Sequence, residues 1–318
     1  MQNFILLIFT SLFLFSCAKP DELVCQEAKE EAKYHLTKEN CSKAFSALSN
    51  ACGSDDSEYI ALQASAYGCR ANYSELDLFD LDIDNINSSS LLSSLASLSS
   101  SNETQADSTE FVALQSAIQT ILTATSGNPS ANTRKTEFGT DNGDDLNFQA
   151  LFMITVQLGK YFAYYGNADN LGNKGSGSLG NTCIYSYTNA DAIDWITSTA
   201  PDTGTCVNAT GSEGSDDLEA PVTSTEVTTR LCEGIILFNN FMDILGNVDL
   251  TDSIYGDLSS VKTAVDALYT TAIAAENTAY STATISTVKD IRLQSDCEAL
   301  TTEQIEKYFA IFFESIYL

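Results

Sequence analysis

Cysteine spacing near the N-terminus constrains the fold more than any other feature of the chain. Cys25, Cys41, Cys52 and Cys69 bracket two short polar linkers, Thr37-Lys38-Glu39-Asn40 and Gly53-Ser54-Asp55-Asp56. Around these linkers the apolar spacing predicts helices over Glu27 to Leu36, Cys41 to Cys52 and Ser57 to Cys69. Ala44, Phe45 and Leu48 share a face of the second. Tyr59, Leu62, Ala66 and Cys69 form a stripe on the third, whose N-cap candidate is Ser57. Linkers this short force antiparallel neighbours. In an antiparallel hairpin, residues at similar distances from the turn lie side by side. The expected bonds are therefore Cys25–Cys52 about the first turn and Cys41–Cys69 about the second. Each staple stabilises by about 2–4 kcal/mol.

Disulfides require an oxidising compartment, and the first residues supply the route. Phe4 to Ser16 is an uncharged apolar run. It is shorter than the roughly 20 residues a spanning helix needs, and it suits the core of a signal peptide. It ends in Leu14-Phe15-Ser16-Cys17, which resembles the lipobox of bacterial lipoproteins. The resemblance implies that residues 1–16 are removed and that Cys17, lipidated on its sulfur, anchors the chain in a membrane. Ala18, where an Asp would retain such a protein in the inner membrane, resembles an outer-membrane address. Residues 17–24 then form a short tether reaching roughly 25 Å when extended, so the body sits close to the bilayer. An ordinary secretory leader would instead leave Cys17 free to pair. Lipidation of Cys17 makes the rest of the nine cysteines an even set, the arithmetic of a disulfide framework. Cys183 and Cys206 flank a short helix carrying Trp195 and are expected to pair, and elimination joins Cys232 to Cys297.

The net charge of −28 excludes nucleic acid as a partner, since only 15 Lys and Arg are available for phosphate contacts. Solubility or a salty environment accounts for such acidity, and a basic partner or cation layer is the functional alternative. A single histidine, His35, and the lack of CxxC or HxxxH spacing leave no zinc, haem or iron–sulfur site. With 44% hydrophobic residues, the 318-residue chain can bury a substantial core.

The expected fold is all-α: an irregular helical bundle with long loops, stapled by disulfides. Residues 25–84 form a hairpin module and 85–318 the bundle. Over roughly 25–75 the helix lengths, the small residues Ala61, Ala64, Ala66 and Gly68, and Tyr59 and Tyr67 resemble a tetratricopeptide-like (TPR-like) hairpin of envelope lipoproteins. No second copy follows at that period, and no functional residue carries over. Asp80, Asp82 and Asp84 resemble the first half of an EF-hand calcium loop, but Asn85 stands where the loop needs Gly and Leu91 where it needs Glu. They read as an acidic turn, with calcium the alternative. Leu91, Leu92, Leu95 and Leu98 mark a short amphipathic helix. Phe111, Leu114, Ile118, Ile121 and Leu122 stripe another over 109–125. Residues 130–145 read as an irregular loop whose acidic tip, Asp141 to Asp145, caps the next helix. That helix, 146–165, is apolar nearly all round and belongs at the centre of the bundle. Residues 166–224 form a loop-rich lobe. Helices are expected over 225–247, 258–279, 285–297 and 301–317, the last with its N-cap in Thr301-Thr302-Glu303-Gln304.

No nucleophile, base and orienting group can be assembled from this pattern, and acid pairs carry no signal among 43 carboxylates. The expectation is a non-enzymatic scaffold of the cell envelope with no cofactor, meeting a protein partner through residues 166–224. The alternative is a solute- or cation-binding accessory protein with a pocket between the 146–165 and 225–247 helices.

Overall fold

The structure is a computed structural model. It describes residues 21–49, 52–73, 108–125, 127, 129–166, 183–196, 216–219, 223–248, 284–314 and separate positions between 262 and 274. It is all-α and disulfide-stapled, with no strand among the described residues. The leader, Cys17, the acids Asp80, Asp82 and Asp84, the leucine helix after them and most of 258–279 lie outside the described residues.

The N-terminal unit comprises α1 (Asp21–Leu36), α2 (Cys41–Ala47) and α3 (Ser57–Arg70). Cys25 bonds to Cys52 and Cys41 to Cys69, with S–S distances of 2.09 and 1.97 Å. The cap of α3 is Asp56 rather than Ser57: its carboxylate accepts the Tyr59 amide at 2.9 Å. Asp56 also accepts Lys29, which bridges to Glu58 as well, both at 2.8 Å. Ala32, Ala44, Leu48, Tyr59 and Ala66 form a small core of their own. The Tyr59 hydroxyl donates to the Leu48 carbonyl at 2.6 Å, satisfying an acceptor that α2 leaves open at its end. The opposite face of α3 serves a second, larger core through Ile60 and Ala64.

In that larger core α3 meets α4 (Thr109–Leu122) and α6 (Thr140–Tyr165). The expected loop over 130–145 is instead helical. Ser130 caps α5 (Ala131–Phe138), Gly139 at φ 86° turns the chain, and α6 begins at once. A left-handed φ of this kind favours glycine. Gly143 is needed as well, since a Cβ there would fall 2.5 Å from the Lys135 Cα of α5. The acidic tip therefore forms the start of α6, where Asp141 faces the positive end of the helix and Asp144 pairs with Lys135 at 2.7 Å. Farther along, α6 is buried nearly all round, as its composition predicts.

The next described helices are α7 (Ala190–Asp194), α8 (Asp216–Glu219) and α9 (Ser224–Asn247). A capping box joins Thr223 and Glu226 at the start of α9. Where α9 crosses α6, the Tyr161 hydroxyl donates to the Arg230 carbonyl at 2.9 Å, and a Cβ on Gly234 would sit 2.6 Å from the Tyr161 ring. Tyr161 thus packs directly against α9 at this crossing.

The expected helix over 285–297 is broken into α10 (Thr284–Val288) and α11 (Gln294–Glu298). Two fully buried amides on α9 explain the break. Asn239 donates to the Val288 and Ile291 carbonyls at 2.8 and 3.0 Å, and Asn240 to the Arg292 carbonyl at 3.1 Å. They satisfy acceptors that a continuous helix would have paired internally. Cys232–Cys297 ties α9 to α11. The closing helix α12 (Thr302–Phe309), started by a Thr301–Gln304 capping box, passes into a π-helical turn over Ala310–Glu314. Its Phe309 and Phe313 rings stack at 4.2 Å in the core beside Phe162 and Phe238.

Candidate functional site

The described part of the 166–224 lobe is locked inward. Cys183, Ile184, Tyr187, Trp195, Ile196 and Leu218 are all buried. Cys183 is disulfide-bonded, and its expected partner, Cys206, lies outside the described residues. The segment from 184 to 189 is held by carboxylates. Glu314, buried on the π turn, accepts the Ile184 amide at 2.6 Å and the Tyr187 hydroxyl at 3.1 Å. Glu306 on α12 accepts the Thr188 and Asn189 amides at 2.8 and 2.7 Å, and Glu219 accepts the Ser186 amide at 2.8 Å. These acids are acceptors for a chain that has no helix or sheet to pair its own amides. Burial, with Glu314 next to the ring, pushes the Tyr187 phenol well above its ordinary range. Sequence reasoning missed Glu306 and Glu314. Their signal was two acids inside the apolar face of the closing helix.

Cys25, Cys52 and Asp56 lie close enough to resemble a metal cluster. They do not make one. Both sulfurs are spent in a disulfide, and Asp56 is taken by Lys29 and the Tyr59 amide. A thiolate is required for metal ligation. His35 lies on α1 with Nε2 3.7 Å from Glu31, an i,i+4 pair on the surface of the hairpin unit.

A groove of about 550 Å³ opens elsewhere, along the outer face of α4 and against Glu233 of α9. The face of α4 that borders it carries Ser116, Gln119, Thr120 and Thr123, opposite the stripe that enters the core. Gln115 stands at its edge, bridged to Gln157 of α6. Phe111, itself buried in the main core, borders one end of the groove. Among the described residues, Glu233 is the single ionisable one bordering the groove. Burial raises its carboxyl from an ordinary 4.5 to about 7, and the charge of Arg230, one turn away, only partly offsets this. The Arg230 guanidinium itself is engaged with the Asp217 and Leu218 carbonyls, both at 2.9 Å, and lies over the Tyr165 ring. The sequence-based expectation places a pocket one helix away, between α6 and α9. The missed signal was the hydroxyl run Ser116, Thr120, Thr123 on a helix otherwise read only for its core face.

Compared with known proteins, the chain matches no family model, no curated protein and no solved structure. The fold and its bonds define an all-α, disulfide-stapled protein. No helix among the described residues is long and apolar enough to cross a membrane.

Proposed function

We propose that the protein is a lipid-anchored scaffold of the bacterial cell envelope, attached through Cys17, in the outer membrane, and binding a protein partner with its helical body. The observation that carries this reading is the closeness of the lipobox-like Leu14-Phe15-Ser16-Cys17 to a stapled unit. Helix α1 starts at Asp21, and the first disulfide follows at Cys25. A multiply acylated cysteine holds firmly, since each buried CH₂ contributes about 0.8 kcal/mol. Two staples then keep the membrane-proximal helices in one arrangement, which suits a surface that a partner must recognise. Helix α1 leaves Leu23 and Tyr34 exposed on one side, with Val24 exposed beside Leu23. Apolar side chains of this kind are what a docking partner covers. The hairpins are read as TPR-like, a module suited to holding other chains.

Growth with an alkyne-tagged fatty acid tests the anchor: the wild type should carry the tag and partition into detergent, and Cys17→Ala should do neither. Cross-linking of the anchored protein in cells, followed by mass spectrometry, tests the scaffold. One reproducible envelope protein, lost on Tyr34→Glu, is the expected result. An untagged wild type, or a capture pattern equal to that of an unrelated lipoprotein, would overturn the reading. The solute-binding alternative rests on a different observation, the groove at Glu233.

A further inference from the structure

We propose that the groove between the outer face of α4 and Glu233 binds a small organic cation through a protonated primary amine. This goes beyond the anchored-scaffold reading and does not depend on it.

The donor and acceptor inventory decides the ligand's chemistry. Ser116 donates its hydroxyl proton to the Val112 carbonyl at 2.8 Å, Thr120 to the Ser116 carbonyl at 2.8 Å, and Thr123 to the Gln119 carbonyl at 2.7 Å. Each hydroxyl proton is therefore spent on its own helix. What these side chains turn to the groove is oxygen lone pairs. Opposite them lies the Glu233 carboxyl, which no hydrogen bond or ion pair from the described residues reaches. Gln115 and Gln119 add amide groups, which carry donors as well as an oxygen, so the selectivity for a cation comes from the hydroxyl lone pairs and the one negative charge, the complement of an ammonium with three donors.

Size and charge narrow the class. A volume near 550 Å³ falls within the roughly 300–1,000 Å³ of small-molecule sites, far more than one ion fills. A calcium site calls for about six to eight oxygen ligands with several carboxylates, and this groove has one. A body of net charge −28 also concentrates cations at its surface. The groups acting electrostatically on Glu233 are Arg230 on its own helix and Tyr161 on α6, and the α4 residues bordering the groove are all neutral.

Isothermal titration of the full-length protein in detergent, with n-butylammonium and 1,4-diaminobutane as probes, tests the proposal. n-Butanol and calcium chloride serve as comparison ligands. Both amines should bind at pH 8. Glu233→Gln should weaken them by about tenfold or more, the usual worth of a hydrogen bond to a charged group. Thr120→Val, which keeps shape and removes one acceptor, should weaken them several-fold. Wild-type affinity should fall as the pH drops below about 7, where Glu233 takes up its proton. The proposal is overturned if neither amine binds the wild type, if n-butanol binds as well as its ammonium counterpart, or if calcium binds more tightly and depends on Glu233. It is also overturned if a folded Glu233→Gln binds the amines unchanged. Should that variant not fold, unchanged binding by Thr120→Val has the same meaning.

Discussion

Replacing Glu233 by glutamine should stabilise the protein at pH 8 and leave it nearly unchanged at pH 4. The folded structure raises this carboxyl from 4.5 to about 7. A carboxyl whose folded value is raised binds its proton more tightly when folded. Its favourable contribution is complete below the unfolded value and is lost as the pH rises through the folded one. Each pH unit is worth about 1.4 kcal/mol, so ionising Glu233 in the folded protein costs at most about 3 kcal/mol by pH 8. Glutamine has nearly the same shape and never ionises. The variant should therefore melt higher than wild type at pH 8, by roughly 5 °C for a chain of this length. At pH 4, where Glu233 is neutral in the folded protein and mostly neutral in the unfolded chain, the two should melt nearly together. Thermal melts followed by circular dichroism at the two pH values, with no amine present, measure the difference. A gap of the same size at both pH values, or a variant less stable at pH 8, would refute the idea that desolvation of this side chain sets its proton affinity.

Other perturbations read the fold. Gly234→Ala places a methyl against the Tyr161 ring at a site where the Cβ would lie 2.6 Å from it. Overpacking of this kind costs about 1–3 kcal/mol, and a denaturant midpoint unchanged from wild type would show that α6 and α9 do not touch there. Asn239→Leu strands the Val288 and Ile291 carbonyls. A loss of about 1–3 kcal/mol is expected, with faster amide exchange around the break between α10 and α11, and unchanged exchange would count against the account of that break. Cys232→Ser with Cys297→Ser removes a staple with a sequence separation of 65. A loss of about 2–5 kcal/mol should follow in non-reducing denaturation, and the absence of any loss would mean the bond is not formed in solution. The Lys29 and Lys33 ammonium groups hold the Glu58 carboxyl below its ordinary 4.5. Glu58→Gln should therefore cost a little stability at pH 7, under about 1 kcal/mol at so exposed a site. That cost should fall away as the pH drops through the lowered value of wild-type Glu58, and a cost that does not change with pH would contradict the pairing.

Legibility in the sequence followed locality. Cys25–Cys52 and Cys41–Cys69 could be read because two short linkers leave antiparallel packing as the only arrangement of their helices. The Thr301–Gln304 cap could be read because its partners lie within one turn, and Thr223–Glu226 is equally local. Residues 140–145 misled because Asp, Asn and Gly dominate turns. What makes them helical is Gly143 packing on Lys135, a contact no spacing rule records. The break between α10 and α11 is imposed by Asn239 and Asn240 from another helix, so nothing within 285–297 announces it. The groove is least legible of all. Its hydroxyls lie along one helix and its carboxyl on another far along the chain, and only tertiary packing brings them together.

The two N-terminal disulfides also determine how a pull would travel. A force arriving from the N-terminal side enters α1 and meets Cys25 within its first turns. From there the shortest covalent path leads through sulfur to Cys52, so most of α1 bears little load. From Cys52 the tension divides between α3, forward to Cys69, and α2, back to Cys41 and through its bond to Cys69. Helix α3 is bolted by Ile60 and Ala64 into the main core and by the Gln149 amide to Ala61 and Ser65. The hairpin unit therefore behaves as an inextensible coupling. Drag on the body would reach the N-terminal end without unspooling the middle of α1, for as long as the surroundings stay oxidising. Under reduction the same segment becomes a spring of several helical turns.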